Sequence, residues 1–184
     1  MSYFDGDNAA TNSDLTPGLG WNKRLLGKGT ATQSGTVTRT IPVSTTDEVS
    51  GSWSTAANIP NITDWGNGSY TCSVNVTTLG ASASGKLQLV RVNSAGTVQE
   101  TLVTGASFST TGIKTFNVTV NPASGAVGDR YQFRMLGSNS SGSMTMTYTI
   151  TVDANCFARA PLVYQKISVN IQSASKAGSR QPMG

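Results

Sequence analysis

Apolar and polar residues alternate with a period of two through much of the chain between residues 30 and 153. Such alternation is typical of β-strands that turn one face toward a core and the other toward solvent. It is clearest in residues 70–77, 131–135 and 144–152. The apolar residues that this pattern places on inward faces are Tyr70, Cys72, Val74, Val76, Leu87, Leu89, Phe116, Val118, Val120, Tyr131, Phe133, Met135, Met144, Met146, Tyr148, Ile150 and Val152.

Further strands and turns complete this pattern. The additional strands are predicted near residues 36–43, 48–53, 86–92, 97–103 and 114–120. Gly85, the turn at residues 93–96 and Gly112 punctuate them, and residues 137–142 predict a hairpin loop. About eight short strands, with no stretch that keeps a helical period for three turns, predict an all-β chain. We expect an antiparallel β-sandwich, either a jelly roll or immunoglobulin-like, with extended N- and C-terminal arms.

The two ends of the chain differ from the middle in charge. We divide the chain into an N-terminal arm (residues 1–29), a sandwich domain (30–157) and a C-terminal arm (158–184). The first twenty residues contain aspartates but no lysine or arginine, whereas the residues after Asp153 contain basic residues but no acidic one. The two ends of the chain, residues 1–20 and 154–184, therefore carry opposite charges.

The C-terminal arm contains one further strand candidate. Its alternating apolar residues are Leu162, Tyr164, Ile167, Val169 and Ile171. Residues 173–184 are polar and have almost nothing to bury. Because ordering a backbone costs about 1–2 kcal/mol per residue, such a segment needs a surface to lie against. We expect that surface to belong to a partner protein; the alternative is that the tail wraps its own domain.

The catalytic possibilities are narrow, since the chain contains no histidine. This excludes Ser-His-Asp and Cys-His nucleophiles, His-ligated zinc and histidine acid-base catalysis. The acidic residues lie mostly in turns or at strand ends, and none is placed in a pair as a glycosidase requires. We predict a protein that is not an enzyme, with no catalytic residue and no cofactor.

An acidic loop near the N-terminus offers oxygen atoms that could surround a calcium ion. It contains Asp5, Asp7 and Asp14 with neighbouring asparagines. The spacing differs from that of the helical-loop calcium motif, and Asp-Gly and Asn are common turn residues. We interpret this loop as turn chemistry and predict no metal site.

Charge and hydropathy limit the partners. Only 12% of the residues are charged, against a usual value of about 25%, and the net charge is +4. No basic and aromatic face repeats along the strands, and no run approaches 18 apolar residues, so we expect neither nucleic-acid binding nor a membrane partner. No signal peptide is recognisable, and Cys72 and Cys156 are too few for a disulfide scaffold. We expect both to be free thiols.

Aromatic residues outside the strands have two interpretations. Exposed rings stack on sugars or anchor in partner pockets. Trp53 and Trp65 flank the loop between them, and Trp65 is either a sugar platform or a ring that closes one end of the sandwich. We favour the second interpretation for Trp65.

The N-terminus carries a resemblance to a known class of proteins. Tyr3-Phe4-Asp5-Gly6-Asp7, followed by Trp21 and a Ser/Thr-rich stretch, resembles the opening of virion structural proteins of tailed bacteriophages, in particular minor tail proteins of phages that infect actinobacteria. In general character, a small Ser/Thr/Gly-rich sandwich with long arms is similar to capsid decoration (cement) proteins. Such proteins sit on the head lattice and clamp neighbouring major capsid subunits.

The resemblance implies a non-enzymatic virion protein. Its expected role is a capsid decoration protein that binds the major capsid protein lattice, or other virion proteins, through its arms and stabilises the head. It is expected on the capsid surface after assembly in the host cytoplasm, as a homo-oligomer, a trimer because capsid lattices offer three-fold positions. The alternative is a tail-associated module that binds host-surface carbohydrate through exposed aromatic residues. The candidate partner-binding residues are Tyr3, Phe4, Trp21, Lys23 and Arg24 in the N-terminal arm, and Arg159, Leu162, Tyr164, Lys166, Ile167, Val169, Ile171, Lys176 and Arg180 in the C-terminal arm.

Overall fold

The computed structural model describes residues 2–3, 23–26, 35–55, 63–152 and 155–161. These residues form β-strands joined by turns and loops. The strands are β1 (Ser2–Tyr3), β2 (Lys23–Leu26), β3 (Gly35–Ile41), β4 (Thr45–Thr55), β5 (Gly68–Leu79), β6 (Ala83–Val92), β7 (Val98–Thr104), β8 (Gly112–Val120), β9 (Arg130–Asn139), β10 (Met146–Val152) and β11 (Phe157–Arg159). The described residues contain no helix, and hence none that is long and apolar enough to cross a membrane.

The strands form two sheets that pack against each other, so the predicted β-sandwich is confirmed. Sheet I has the order β1-β11-β5-β10-β3, and β8 pairs with the other side of β5. Sheet II has the order β2-β4-β9-β6-β7. All the described pairs are antiparallel except β2 with β4, which is parallel.

The strand pairs are nested along the chain. β3 pairs with β10, β4 with β9, β5 with β8 and β6 with β7. This is the pairing of one long antiparallel hairpin, formed by β3 to β10, that reverses direction between β6 and β7. Two further pairs, β5 with β10 and β6 with β9, form when the hairpin rolls up and divide its strands between the two sheets. This connectivity is that of a jelly roll, one of the two topologies expected from the sequence.

The turn at the tip of this hairpin lies at the predicted position, residues 93–96. The Asn93 side-chain oxygen accepts hydrogen bonds from the backbone N–H groups of Ala95 (3.0 Å) and Thr97 (2.9 Å). Gly96 has a φ of 88°, in the left-handed region that favours glycine. Asparagine and glycine thus form the reversal from which the nested pairing extends.

The predicted inward faces form most of the core. On β5, Tyr70, Cys72, Val74 and Val76 are each 0% exposed. The inward residues of β6, β9 and β10 are buried with them: Leu87, Leu89, Tyr131, Phe133, Met135, Tyr148 and Ile150. Full burial of one such apolar side chain contributes about 1.5–3 kcal/mol, so this layer is the main source of stability.

Both tryptophans with described side chains belong to this core. The Trp53 ring centre lies 5.4 Å from that of Phe133, and the Trp65 ring centre lies 4.3 Å from that of Tyr131 in an edge-to-face contact. Each tryptophan is 1% exposed. Trp65 therefore closes one end of the sandwich and offers no platform to a sugar.

Two apolar residues assigned to strands lie in turns instead. Val43 follows the end of β3 and is 39% exposed, and Met144 precedes the first residue of β10 and is 63% exposed. Both residues continue the alternation of the neighbouring strand. Pattern alone cannot distinguish such a turn residue from a residue of the strand itself.

Two glycines taken as turn signals are instead packing positions inside strands. Gly137 lies within β9, so the predicted hairpin loop at residues 137–142 is wrong. The next strand, β10, belongs to the other sheet. A Cβ atom on Gly137 would lie 2.9 Å from Cγ1 of Ile41, and one on Gly85 would lie 2.5 Å from Cε of Met135. Glycine is used at both positions because another residue packs against its backbone.

The nested pairing brings the two arms together. Gly35 and Val152 are ladder partners at the open end of the hairpin, so the chain enters and leaves the rolled core at one place. We call this the arm end. The opposite end, the distal end, carries the connections β3–β4, β5–β6, β7–β8 and β9–β10.

The sandwich includes parts of both predicted arms. β11 extends sheet I to Arg159, and Ala158 and Ala160 pack into the core, beyond the boundary expected at residue 157. β2 lies within the predicted N-terminal arm and pairs with β4. A deletion that removes only the C-terminal arm should therefore start after Pro161.

A glycine substitution tests the packing of β8. Gly105 follows β7, and a Cβ atom there would overlap the Phe116 ring. We expect Gly105→Ala to lower the free energy of unfolding by about 1–3 kcal/mol, because the ring or the backbone must move. In the control Gly142→Ala, the nearest side-chain atom lies 3.8 Å away, so stability should change by less than about 1 kcal/mol. Urea unfolding followed by tryptophan fluorescence measures both, and equal stabilities would contradict this packing.

Both cysteines are buried free thiols. Cys156 lies between β10 and β11, where its Sγ donates to the Thr151 carbonyl (3.1 Å) and accepts from the Asn75 N–H (3.4 Å). Burial raises the pKa of the Cys72 thiol from its ordinary value of 9.0 to about 12. The folded state therefore favours the protonated thiol of Cys72.

We expect Cys72 to resist thiol reagents at pH 8 in the folded protein, because the thiolate is the reactive form. Both cysteines should react once urea unfolds the chain, without any reductant. The stabilisation from the protonated Cys72 thiol is complete below pH 9 and is lost as the pH rises toward 12. Titration with an aromatic disulfide reagent checks the reactivity, and fast labelling of Cys72 in the native state would contradict its burial.

Candidate interaction surface

Four of the described carboxylates serve ion pairs or turns. Asp129 and Glu100 contact Arg91, and Asp47 contacts Lys86. The Asp64 carboxylate accepts a hydrogen bond from the Gly66 N–H at 3.0 Å. In the part of the chain that the structure describes, no three His, Cys, Asp or Glu side chains are grouped to hold a metal ion.

A buried ionic cluster fastens the arm end. Nη1 of Arg91 lies 2.6 Å from Oδ2 of Asp129, and Nη2 lies 3.2 Å from Oε2 of Glu100. The side chains of Arg91 and Asp129 are only 7% and 4% exposed. Asp129 also accepts from the Ala126 N–H at 3.0 Å, and Glu100 from the Ala123 N–H at 3.1 Å. The cluster thus ties the β8–β9 loop to β6 and β7.

Trp65 connects this cluster to β5. The Arg91 guanidinium lies 5.8 Å from the Trp65 ring centre, a cation–π contact. The Tyr70 hydroxyl donates to the carbonyls of Trp65 and Gly66. The Gly125 N–H donates to the Thr63 carbonyl at 2.8 Å. The arm end is therefore held by bonds among three separate parts of the chain.

The outward face of sheet I is covered with hydroxyl and amide side chains. They come from β3, β10, β5 and β8, and they are Thr36, Thr38, Thr40, Thr147, Thr149, Thr151, Thr71, Ser73, Asn75, Thr77, Thr115, Asn117 and Thr119. Hydroxyls bond across neighbouring strands, as in Thr38 with Thr149 (2.9 Å) and Ser73 with Thr115 (2.7 Å). This face is polar, and its polar groups partly satisfy one another.

The distal end contains a polar groove of about 540 Å³. Its walls include Ser44, Thr45, Ser82, Ser109, Ser138 and Ser140. The buried Asn139 amide donates to the carbonyls of Met144 (2.8 Å) and Ile41 (3.3 Å), and it accepts from the Ser82 hydroxyl (3.0 Å). Asn139 therefore joins three of the connections that surround the groove, at the end of the sandwich away from the arms.

β8 forms an open edge of sheet I. It pairs with β5 from Gly112 to Val120 without a register shift, and no other described strand pairs with it. Phe116, Val118 and Val120 face the core on this strand, yet they are only half-buried. Cys72 and Tyr70, the β5 partners of Phe116 and Val118, are fully buried. Apolar side chains of β8 are thus partly exposed beside the open edge of this strand.

Four of the candidate partner-binding residues lie in described strands. Tyr3 is in β1 and Arg159 in β11, and these strands pair with each other. Lys23 and Arg24 are in β2, at the edge of sheet II. The Arg159 guanidinium lies 4.1 Å from the Phe157 ring centre on the outward side of sheet I. The structure therefore brings Tyr3 and Arg159 into adjoining strands, apart from the Lys23 and Arg24 pair.

The remaining candidates lie outside the described residues: Phe4, Trp21, Leu162, Tyr164, Lys166, Ile167, Val169, Ile171, Lys176 and Arg180. The acidic loop around Asp5, Asp7 and Asp14 and the predicted C-terminal strand lie outside them as well.

Sequence reasoning missed the ionic cluster and the open edge. The cluster had a signal, because Arg91 is the charged residue in a run of apolar positions near the end of β6. The open edge of β8 has no sequence signal, because alternation shows which side chains face inward but not how many strands pair with a given strand.

A scan of protein-family models found none that matches this chain, and a search of curated proteins found no similar one.

The buried cluster and an exposed ion pair provide a matched test. Asp129→Asn should lower the free energy of unfolding by about 3–5 kcal/mol, because it leaves the buried Arg91 charge without its nearest partner. Asp47→Asn removes an equally short but exposed pair, 2.6 Å from Lys86, and should change stability by less than about 1 kcal/mol. Chemical denaturation measures both variants. Equal effects would mean that the Arg91 cluster does not fasten the arm end.

Proposed function

We propose that this protein is a non-enzymatic structural protein of a phage virion, a capsid decoration protein that stabilises the head. In this role the terminal arms bind the lattice of the major capsid protein, and the sandwich projects outward. The observation that carries the proposal is the common origin of both arms, at the ladder pair Gly35 and Val152.

The common origin gives the molecule two functionally different ends. Arms that leave from one end lie across the same underlying surface, while the distal end with its hydroxyl-lined groove points away from it. The Arg91 cluster makes the arm end rigid through a buried ion pair. A firmly held end from which both terminal segments start is suited to bridging neighbouring subunits.

Short segments of the N-terminal arm already form strands at sheet edges. β1 adds to β11, and β2 adds in parallel to β4. Strand addition of this kind gives affinity through main-chain hydrogen bonds, and it is a common way for extended segments to bind another protein. Segments of the N-terminal arm thus use strand addition within this molecule, and this supports the proposal that the arms bind a capsid lattice in the same way.

Burial of the aromatic residues favours this role over carbohydrate binding. Trp53, Trp65, Tyr70, Tyr131 and Tyr148 are all at most 3% exposed. A sugar-binding site needs exposed rings, and these rings pack between the sheets. The proposal rests on the arms and not on a ring platform.

The test is co-sedimentation with capsids that lack the protein. We expect deletion of residues 162–184 to leave a cooperatively melting sandwich that no longer sediments with capsids. Deletion of residues 173–184 keeps the predicted strand but removes Lys176 and Arg180, so this control should bind with reduced affinity. High salt should weaken full-length binding only in part, because exposed charges are screened over about 8–10 Å whereas main-chain pairing persists.

Two outcomes would contradict the proposal. If the protein without residues 162–184 sediments with capsids as well as the full chain does, the C-terminal arm is not the anchor. If no version binds capsids while all of them bind an immobilised host glycan, the function is carbohydrate recognition.

A further inference from the structure

We propose that the free edge of β8 is the docking site for residues 166–172 of a second copy of this chain, which adds there as a strand. The protein would then self-associate by strand exchange, each copy giving one strand and receiving one. This inference does not depend on the virion role.

The edge of β8 lacks most of the devices that usually protect a sheet edge. Natural proteins blunt such edges with proline, bulges, inward-pointing charges or very short strands. β8 has no proline, pairs with β5 without a bulge, and runs from Gly112 to Val120. Its one charged residue, Lys114, shares the inward parity near the start of the strand, where its Nζ atom lies 5.5 Å from the Phe108 ring centre and donates to the Thr110 hydroxyl. Residues 115–120 carry no such charge. The edge of sheet II at β7 differs, because its pairing with β6 is interrupted by two register shifts. β8 therefore offers a long, regular row of main-chain groups.

The side chains of β8 also indicate that the sheet has room for one further strand beside it. Phe116, Val118 and Val120 point into the core and pack against it, but they are only half-buried. Cys72 and Tyr70, which lie beside Phe116 and Val118 on β5, are fully buried. An additional strand with apolar residues at every second position would cover them. The open edge thus requires a donor with a specific pattern.

Residues 166–172 have that pattern. Ile167, Val169 and Ile171 alternate with polar residues, and they match the three apolar positions of β8. The intervening Ser168 and Asn170 would extend the hydroxyl and amide face that Thr115, Asn117 and Thr119 present on the outward side. Both faces of the segment fit the strand beside which it would lie.

The donor has to come from another copy because the connection is too short within one chain. Pro161 lies against Gly68, on the β11 side of β5, whereas the free edge is beyond β8 on the other side. The lateral distance is three strand spacings, about 14 Å. The connection from Pro161 to residue 166 spans at most about 17 Å when fully extended, which leaves no length for the two changes of direction. A neighbouring copy has no such constraint.

When each copy gives its donor strand to the next copy, the donor of one chain meets the β8 edge of another, and the interface is heterologous (head-to-tail). Such interfaces close into rings when the rotation between copies allows it. We therefore expect a closed oligomer of defined size in the purified protein, without capsids present.

Paired substitutions on the two faces of the donor test the inference. Val169→Asp places a charge against the β8 side chains and should weaken self-association about tenfold or more in sedimentation velocity. Ser168→Asp adds the same charge on the outward face and should leave self-association within about threefold of the unmodified protein. If both substitutions or neither disrupt the oligomer, or if the unmodified protein is a monomer, the inference is wrong.

Crosslinking identifies the acceptor edge and the donor chain. Thr119→Cys on β8 and Asn170→Cys on the donor lie on the outward side, and a short bismaleimide should join them between two singly substituted proteins when these are mixed. Thr38→Cys places the same thiol on β3, the opposite edge of sheet I, and should not crosslink to Asn170→Cys. Crosslinks to β3, crosslinks only within one doubly substituted chain, or no crosslinks at all would overturn the proposal.

Discussion

The nested antiparallel pairing of eight strands is the constraint on which the rest of this molecule depends. Once β6 and β7 pair across the turn at Asn93 and Gly96, each outer pair extends the one inside it, and the last pair joins Gly35 to Val152. The same pairing places the termini of the core side by side and sends four connections to the other end. The separation between an arm end and a distal end is thus a consequence of topology.

Much of the fold was predictable because a half-buried strand must alternate. The inward faces of β5, β6, β9 and β10 follow from that rule, and their residues are buried. Alternation gives no information about a strand whose two faces are both buried. It also gives none about a glycine whose backbone packs against another residue. β4 was expected only near residues 48–53, yet it runs from Thr45 to Thr55, because Ser50, Ser52 and Ser54 are buried polar residues that an apolar pattern does not reveal. Gly85 and Gly137 were mistaken for turns for a similar reason.

The candidate interaction surfaces were less predictable than the core. The sequence identifies the arms by their charge and low apolar content, and it identifies an alternating segment near the C-terminus. It cannot show that β1 and β2 become edge strands, because pairing between strands distant in sequence is decided by the whole fold. It also cannot show that β8 is an outer strand with half-buried Phe116, Val118 and Val120. An open sheet edge with partly exposed apolar side chains favours the addition of another strand, and the proposed assembly rests on this property.

The copy number of the protein in purified virions tests the central claim most directly. A decoration protein occupies positions that repeat over the whole head lattice, whereas a tail component is present at one site in the particle. Quantitative mass spectrometry of virions, with the major capsid protein as the internal reference, measures this ratio. The account predicts a copy number comparable to that of the major capsid protein, and a ratio as low as that of the tail-tip proteins would contradict it.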